Sequence, residues 1–308
     1  MAPARNKVLI FLAKIMVSGA ALALIFRKAD PGHVLPLLQR VGLPVFGLAV
    51  LLYIVMQMLS TFRWRMLMPE RYPFGRLFSL YMIGSFFSSF LPGLIGGDAV
   101  RAYYLNKDAR NLSATLGAVF LDRYIGFVSL MLIGMLAFPF SLPSFGDTPY
   151  RWLMPAVFLA FTLGSVLFFW LRIGRRFGVI ARFYEYFGFI SGRKGTIAAA
   201  LIISGCIQIL NFLSVLIIAL RMGADVSLLE LSVFLPLVIA ISSMPISISG
   251  IGIREGSFVV LLGMIGIAPE VATSLSLAWF FSVLMGSLPG LAFYILQGKE
   301  RKEQHGNA

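Results

Sequence analysis

The chain has 308 residues, of which 59% are hydrophobic and 13% are charged, and its mean hydropathy is +0.89. Because a soluble domain carries about 25% charged residues, this composition predicts an integral membrane protein, and no polar block is long enough for a separate soluble domain. The net charge of +13 does not indicate nucleic-acid binding, because the arginines lie between apolar runs, where they act as topology signals and suit contact with anionic lipid headgroups.

The residues that most often build metal or redox sites are scarce. The single Cys206 excludes an internal disulfide, and His33 and His305 both lie outside the apolar runs. We also find no nucleotide-binding loop and no Ser-His-Asp set. The sequence therefore predicts no metal, no cofactor and no enzymatic centre.

The first apolar run covers residues 8–26. Basic residues before it and Ala21-Leu22-Ala23 near its end would suit a cleaved signal peptide. Lys14 interrupts the run, however, and many apolar runs follow it, so we favour a retained first helix.

Five further runs are long enough to cross a membrane, which takes about 20 apolar residues. They are residues 43–60, 112–140, 152–171, 196–220 and 271–296. With the first run they predict an all-α polytopic bundle of six full spans, which forms a single membrane domain over residues 1–298, followed by a short basic tail at 299–308.

Two apolar segments are shorter, and each is followed by a copy of one ten-residue pattern. Residues 77–91 and 229–244 make helices of about 22–24 Å, too short for a core of about 30 Å. The pattern then covers residues 92–101 and 245–254. In register, the two copies share a proline, an isoleucine, a glycine and an arginine: Pro92 and Pro245, Ile95 and Ile248, Gly97 and Gly250, Arg101 and Arg254.

Repeated broken segments in two halves of a chain are typical of transporters built from inverted repeats. We therefore interpret residues 77–105 and 229–267 as two re-entrant hairpins that turn at Pro92 and Pro245. Two kinked full spans are the alternative. Arginine and lysine concentrate in the 62–76 and 172–195 loops and in the tail, which places both termini in the cytoplasm and makes the hairpins enter from opposite faces. We expect a multi-pass protein of a bacterial-type plasma (inner) membrane.

Charged residues of the repeat are the first candidates for a functional site. A charge near the bilayer centre is costly unless it is paired or solvated. A helix N-terminus beside an arginine suits a phosphate. The predicted headgroup-phosphate site consists of Arg101, Arg254, Gly96, Gly97, Ser249 and Gly250, and Asp98, Ser247 and Ser249 have the chemistry of N-caps. Alternatively, each arginine neutralises Asp98 or Glu255 and closes its hairpin.

Asp122 and Arg123 lie within the span at 112–140. Adjacent residues on a helix point about 100° apart, so each needs a partner from another element, and the hairpin charges are the obvious supply. Asp98, Asp122 and Glu255 are candidates for a proton partner in coupled transport, or with Arg123 for a structural charge network. Gln208 and Asn211 are one turn apart and favour interhelical bonding. Residues 176–190 are typical of an interfacial helix or of a linker helix packed on the bundle.

Three of these blocks resemble a known family. The run Pro92-Gly93-Leu94-Ile95-Gly96-Gly97-Asp98-Ala99-Val100-Arg101, the block Leu121-Asp122-Arg123 and the block from Pro245 to Gly256 are similar to signatures of the lysylphosphatidylglycerol synthase membrane-region family. The resemblance implies a membrane domain of flippase type. In full-length members a soluble domain aminoacylates phosphatidylglycerol. In this sequence only a short tail, ending at Ala308, follows the membrane domain, so we do not expect the aminoacylating activity in this chain.

The leading hypothesis is a flippase or transporter for a lipid with a phosphate-bearing headgroup, aminoacylated or glycosylated headgroups included. Its partners would be a membrane phospholipid or lipid-linked substrate and a separate lipid-modifying enzyme. Three alternatives remain: a transporter of small soluble anions, a membrane-embedded transferase acting on a lipid-linked sugar, and a non-transporting scaffold for a synthase.

Overall fold

A computed structural model describes residues 31–306, apart from residues 69, 71, 91–94, 110, 146–148, 173–177 and 245–249. Within this part of the chain the fold is all-helical, as predicted, and contains no strand. The α-helices in chain order are α1 Pro31–Leu67, α2 Phe74–Ser88, α3 Ile95–Ala109, α4 Leu112–Phe145, α5 Leu153–Leu171, α6 Gly178–Ser191, α7 Lys194–Arg221, α8 Leu228–Ser242, α9 Ile253–Gly263, α10 Pro269–Ser287 and α11 Pro289–Gly306. A short 3-10 helix, Pro149–Trp152, precedes α5.

Five helical regions in the described residues are long and apolar enough to cross a membrane. They are Gly32–Leu67, Ala114–Pro143, Leu153–Leu171, Lys194–Arg221 and Pro269–Gln297. They coincide with five of the six predicted spans. The sixth, at residues 8–26 with Lys14, lies outside the described residues.

Helix α1 is longer than its predicted span at both ends. It kinks at Gly42, whose φ of +73° is easily reached only by glycine, and the predicted span begins one residue later. At the other end the helix continues past Ser60 to Leu67, because Trp64 and Leu67 are fully buried. The loop predicted to start at residue 62 is therefore wrong in its first part, and Arg63 is a helical residue.

The two short apolar segments form two short helices, α2 and α8, each of 15 residues. Each is followed by another short helix that packs against it, α3 in the first case and α9 in the second. We call α2 with α3 the first helix pair and α8 with α9 the second helix pair. The predicted turns at Pro92 and Pro245 lie outside the described residues, and the re-entrant course of each pair remains a prediction.

Long helices surround the two pairs. Helix α1 packs against α7 and α10, and α4 packs against α7 and α8. The predicted last span is divided at Leu288, where α10 ends and Pro289 opens α11. Helix α11 packs against α2 and extends to Gly306, so the predicted tail begins within a helix.

Helix α6 is packed on the bundle. The hydroxyl of buried Tyr186 donates a hydrogen bond to the carbonyl of Leu67, and the Phe187 ring stacks on Phe169 with 4.3 Å between centroids. Burial raises the pKa of Tyr186, which keeps its hydroxyl protonated and able to donate. These contacts favour the packed linker helix of the two interpretations of residues 176–190.

Candidate functional site

The first helix pair is held together by a close glycine contact. A Cβ atom at Gly97 would overlap the carbonyl oxygen of Gly84 and the Oγ of Ser88, so α2 and α3 approach at a distance that only glycine allows. Gly97 therefore serves helix packing, and neither Gly96 nor Gly97 is among the residues that line the cavity described below. The phosphate contact predicted for this glycine pair stays a prediction.

Arg101 is buried within this pair, with only 1% of its surface exposed. Its guanidinium carbon lies 4.4 Å from the ring centroids of both Trp64 and Tyr81. Its two terminal nitrogens pair with Asp98 at 3.1 Å and Asp122 at 3.2 Å. The alternative interpretation, in which the arginine neutralises Asp98, is thus observed for Arg101.

Asp122 on α4 is fully buried and joins three elements. Its Oδ1 accepts a hydrogen bond from Arg63 Nε at 2.8 Å, and its Oδ2 accepts from the Tyr81 hydroxyl at 3.1 Å as well as from Arg101. The adjacent Arg123 donates instead from its Nε to Asp98 at 2.7 Å. Asp122 and Arg123 thus have separate partners on other elements, as predicted, and charges of a predicted hairpin, Arg101 and Asp98, are among them.

Asp98 lies in the first turn of α3 and is not its N-cap, because the helix already begins at Ile95. A carboxylate in this turn still faces the positive end of the helix dipole. Ser247 and Ser249, the other predicted capping residues, lie outside the described residues.

Arg63 is a site residue that the sequence analysis assigned only to a loop. It is buried at 4% exposure, and besides Asp122 it donates from Nη1 to Ser204 Oγ at 2.7 Å. A signal was present: Tyr53, Gln57, Ser60 and Arg63 follow one another at intervals of three or four residues, a polar stripe on an otherwise apolar helix.

The second helix pair carries Arg254 and Glu255 at the start of α9. Arg254 Nε contacts Glu255 Oε1 at 3.0 Å and Ser276 Oγ at 3.1 Å, and Glu255 Oε2 accepts the Gly252 backbone N–H at 2.6 Å. Gly250 and Gly252 have φ of +74° and +84°, which places glycine at the turn into the helix. Here too the arginine is neutralised by the neighbouring carboxylate.

A cavity of about 610 Å³ lies among the described residues and is lined from both helix pairs and from α1, α4, α5, α7 and α10. Its lining contains three arginines: Arg63, Arg123 and Arg254. Arg101, predicted to line the site, is enclosed behind it. Gly250 lies in the lining as predicted, with a Cβ position 3.1 Å from Ser242 Cβ.

Each lining arginine keeps part of its fork unused. Among the described residues no hydrogen bond is made by Arg63 Nη2, by the two terminal nitrogens of Arg123 or by Arg254 Nη1. The Arg123 side chain is 40% exposed, so its free nitrogens are accessible. A guanidinium held on one side and open on the other is suited to grip an anion.

The remaining lining is divided between neutral polar groups and rings. Gln208 donates to the Gly126 carbonyl at 3.2 Å, which confirms the interhelical bonding predicted for it, and both Gln208 and Asn211 line the cavity. Aromatic residues of α4, α5 and α10 form an apolar wall: Phe120, Tyr124, Phe127, Phe161, Trp279 and Phe280. A pocket with a few convergent polar groups and apolar walls is the usual form of a ligand site.

Fold and site together define a multi-pass, all-α membrane protein with a cationic cavity among its helices. The chain belongs to the lysylphosphatidylglycerol synthase membrane-region family, whose model matches residues 11–290, and this confirms the resemblance seen in the sequence. It is also similar to a UPF0104 membrane protein of Methanothermobacter thermautotrophicus, with 25% identity over 84% of this chain and 87% of the relative. No solved structure matches the chain.

Proposed function

We propose that this protein moves a phosphate-bearing lipid headgroup across the membrane, with the headgroup bound in the cavity between the two helix pairs. The observation that supports this most is the cluster of three half-used guanidinium groups, Arg63, Arg123 and Arg254, in one cavity. Oxygen atoms of a phosphate accept hydrogen bonds from such forks in bidentate geometry. The family to which the chain belongs is named for the membrane region of a lipid-modifying synthase, which favours a lipid among phosphate-bearing ligands.

The cavity also suits the rest of a lipid. Its aromatic wall on α4, α5 and α10 can contact the glycerol region, while acyl chains stay in the surrounding bilayer. The two helix pairs enter from opposite faces in our interpretation, so alternating exposure of the cavity would carry the headgroup from one leaflet to the other. A plasma-membrane location, cytoplasmic termini and supply by a separate lipid-modifying enzyme belong to the same proposal.

The test is a lipid-translocation assay in proteoliposomes that contain phosphatidylglycerol with a fluorescent acyl chain. A membrane-impermeant reagent quenches the fluorescence of lipid in the outer leaflet, so lipid that moves from the inner leaflet is detected as additional loss of fluorescence. We expect headgroup movement well above that in protein-free vesicles, and slow movement with the Arg254→Ala variant. Movement no faster than in protein-free vesicles contradicts the proposal.

A second arm separates lipid from soluble anions, because the cationic lining also suits a small anion. The same vesicles are given external radiolabelled inorganic phosphate. Uptake of phosphate without lipid movement supports the small-anion transporter, whereas lipid movement without phosphate uptake supports the flippase.

A further inference from the structure

The charged residues in and around the cavity do not balance. In the described part of the chain, four arginines form ion pairs with three carboxylates: Arg63, Arg101, Arg123 and Arg254 with Asp98, Asp122 and Glu255. Every carboxylate contacts at least one guanidinium, and one positive charge is left over. An unbalanced charge at membrane depth is costly, so the site favours a ligand with a single negative charge.

The charges are also arranged by layer. Three of the arginines line the cavity, whereas Asp122 and Glu255 are fully buried behind them, and the described lining residues include no carboxylate. A cationic group on a bound headgroup would therefore face guanidinium groups with no carboxylate to receive it.

The neutral part of the lining offers hydrogen bonds without charge. Six serines line the cavity: Ser60, Ser85, Ser88, Ser89, Ser242 and Ser243. Ser242 Oγ and Trp279 Nε1 are buried and make no hydrogen bond to the described residues. Buried donors normally have partners, and oxygen acceptors on a ligand would supply them for these two lining residues.

We propose that the headgroup accepted by this cavity is a phosphodiester with an uncharged, hydroxylated substituent and one net negative charge, and that amine-bearing headgroups, aminoacylated ones included, are discriminated against. This rests on the proposed function, because it assigns the substrate class of the same site. A phosphodiester supplies the single negative charge, and hydroxyl groups match the serine and amide lining. A lysyl ester would add two ammonium groups and reverse the net charge of the ligand.

Binding is measured on the purified protein in detergent through tryptophan fluorescence, with the Trp279→Phe variant to identify the signal from the cavity. The probes are dihexanoyl-phosphatidylglycerol, its lysyl ester, dihexanoyl-phosphatidylethanolamine and glycerophosphoglycerol, the deacylated phosphodiester that carries the same single negative charge. We expect phosphatidylglycerol to bind at least about tenfold more tightly than either amine-bearing lipid, a ratio typical of one unfavourable charge contact. Equal affinities, a preference for the lysyl ester, or no signal with any probe would each overturn the inference.

A charge introduced into the cavity gives a sharper test. Asn211→Asp keeps the shape of a lining residue and supplies the missing carboxylate, so it should reduce the preference for phosphatidylglycerol over its lysyl ester by about tenfold. Asn111→Asp is the matched control, because Asn111 is exposed and its side-chain oxygen caps α4 through the Ala114 N–H, which an aspartate retains. An unchanged preference in Asn211→Asp counts against the inference.

The two proposals fail in different ways. If phosphatidylglycerol moves in vesicles but binding does not discriminate against amines, the flippase function stands and the headgroup class is wrong. If binding discriminates but no lipid moves, the headgroup class stands and the flippase is wrong. Binding of glycerophosphoglycerol as tight as that of phosphatidylglycerol supports the charge selection and contradicts a lipid as its source.

Discussion

Arg101 on α3 and Asp122 on α4 form a buried ion pair, with 3.2 Å between Nη1 and Oδ2. The same carboxylate binds Arg63 of α1 and Tyr81 of α2, so four helices meet at one side chain. Ion pairs of this kind hold elements in register, since removal of either partner leaves an uncompensated charge in the interior. The arginine of the first repeat is thus a structural residue, whereas Arg254, the arginine of the second, faces the cavity.

The first prediction follows from this difference. Arg101→Ala removes a partner from both Asp98 and Asp122, so we expect a loss of about 3–5 kcal/mol in the free energy of unfolding, the usual cost of breaking a buried pair. Thermal unfolding in detergent measures it. Arg65→Ala, on an exposed residue of the end of α1, is the matched control and should unfold like the unmodified protein. A stable Arg101→Ala variant would show that the pair is dispensable.

The second prediction concerns Arg254. We expect Arg254→Ala to lower lipid movement per folded protein by at least about tenfold, because a desolvated contact to a charged ligand is lost, and to lower stability as well, since buried Glu255 keeps only the Gly252 N–H and the Ser276 hydroxyl as partners. Arg254→Lys should restore little, since a point charge does not replace a fork. The exposed Arg221→Ala serves as control. Normal lipid movement in both Arg254 variants, measured in the vesicle assay, would remove this residue from the site.

The third prediction tests the glycine contact of the first helix pair. Gly97→Ala places a methyl group against the Gly84 carbonyl, so we expect a loss of about 1–3 kcal/mol from overpacking, or separation of α2 and α3. Gly164→Ala is the control, because a Cβ at Gly164 meets no atom within 4 Å. Unfolding curves of the two variants should differ clearly, and equal stability would argue against close packing at Gly97.

The fourth prediction addresses topology. After replacement of the lone, exposed Cys206 by alanine, single cysteines are placed at four exposed sites: Gly75, Asn111, Asp225 and Ala268. Two re-entrant pairs predict that 75 and 111 react with an impermeant thiol reagent from the cytoplasmic side, and that 225 and 268 react from outside. Labelling of 75 and 111 from opposite sides would mean that the first pair crosses the membrane.

The fifth prediction separates coupled from passive transport. Glu255 forms an ion pair with Arg254 and is our candidate for the proton partner in coupled transport. We therefore expect lipid movement to respond to an imposed pH gradient, and Glu255→Gln to abolish that response while retaining movement. Rates are compared with and without the gradient in the same vesicles. Equal rates in the unmodified protein would make it a passive conduit.

The sequence predicts the helices well because each span depends on its own hydropathy. The length of their apolar runs alone predicts the short helices α2 and α8, and the cost of a buried charge predicts that Asp122 and Arg123 have partners on other elements, although it does not identify Arg63 as one of them. The sequence does not predict which of these charged residues line the cavity. Arg101 and Arg254 occupy equivalent positions of the repeat. Arg101 does not line the cavity because Trp64 and Tyr81 pack around it, and the sequence pattern does not contain this contact.

Arg63 was missed for a related reason. Its sequence neighbours Arg65 and Arg76 suggest a basic loop, and only the burial of Trp64 and Leu67 extends α1 far enough to bring Arg63 inside. Side-chain burial depends on contacts between helices distant in sequence, which composition and spacing do not contain.

The two helix pairs are anchored unequally. In the described part of the chain, ion pairs tie the first pair to α4, which is itself paired with Arg63 of α1, whereas the Arg254–Glu255 pair of the second is contained within α9 and reaches α10 through the Ser276 hydroxyl and the Phe280 ring. Tilting of the second pair would therefore separate no opposite charges and would be opposed by neutral hydrogen bonds, the Arg254–Phe280 contact and apolar contacts. In such a motion the first pair would stay fixed and the second pair would move. The two copies of the repeat are similar in sequence, but they would then differ in mobility.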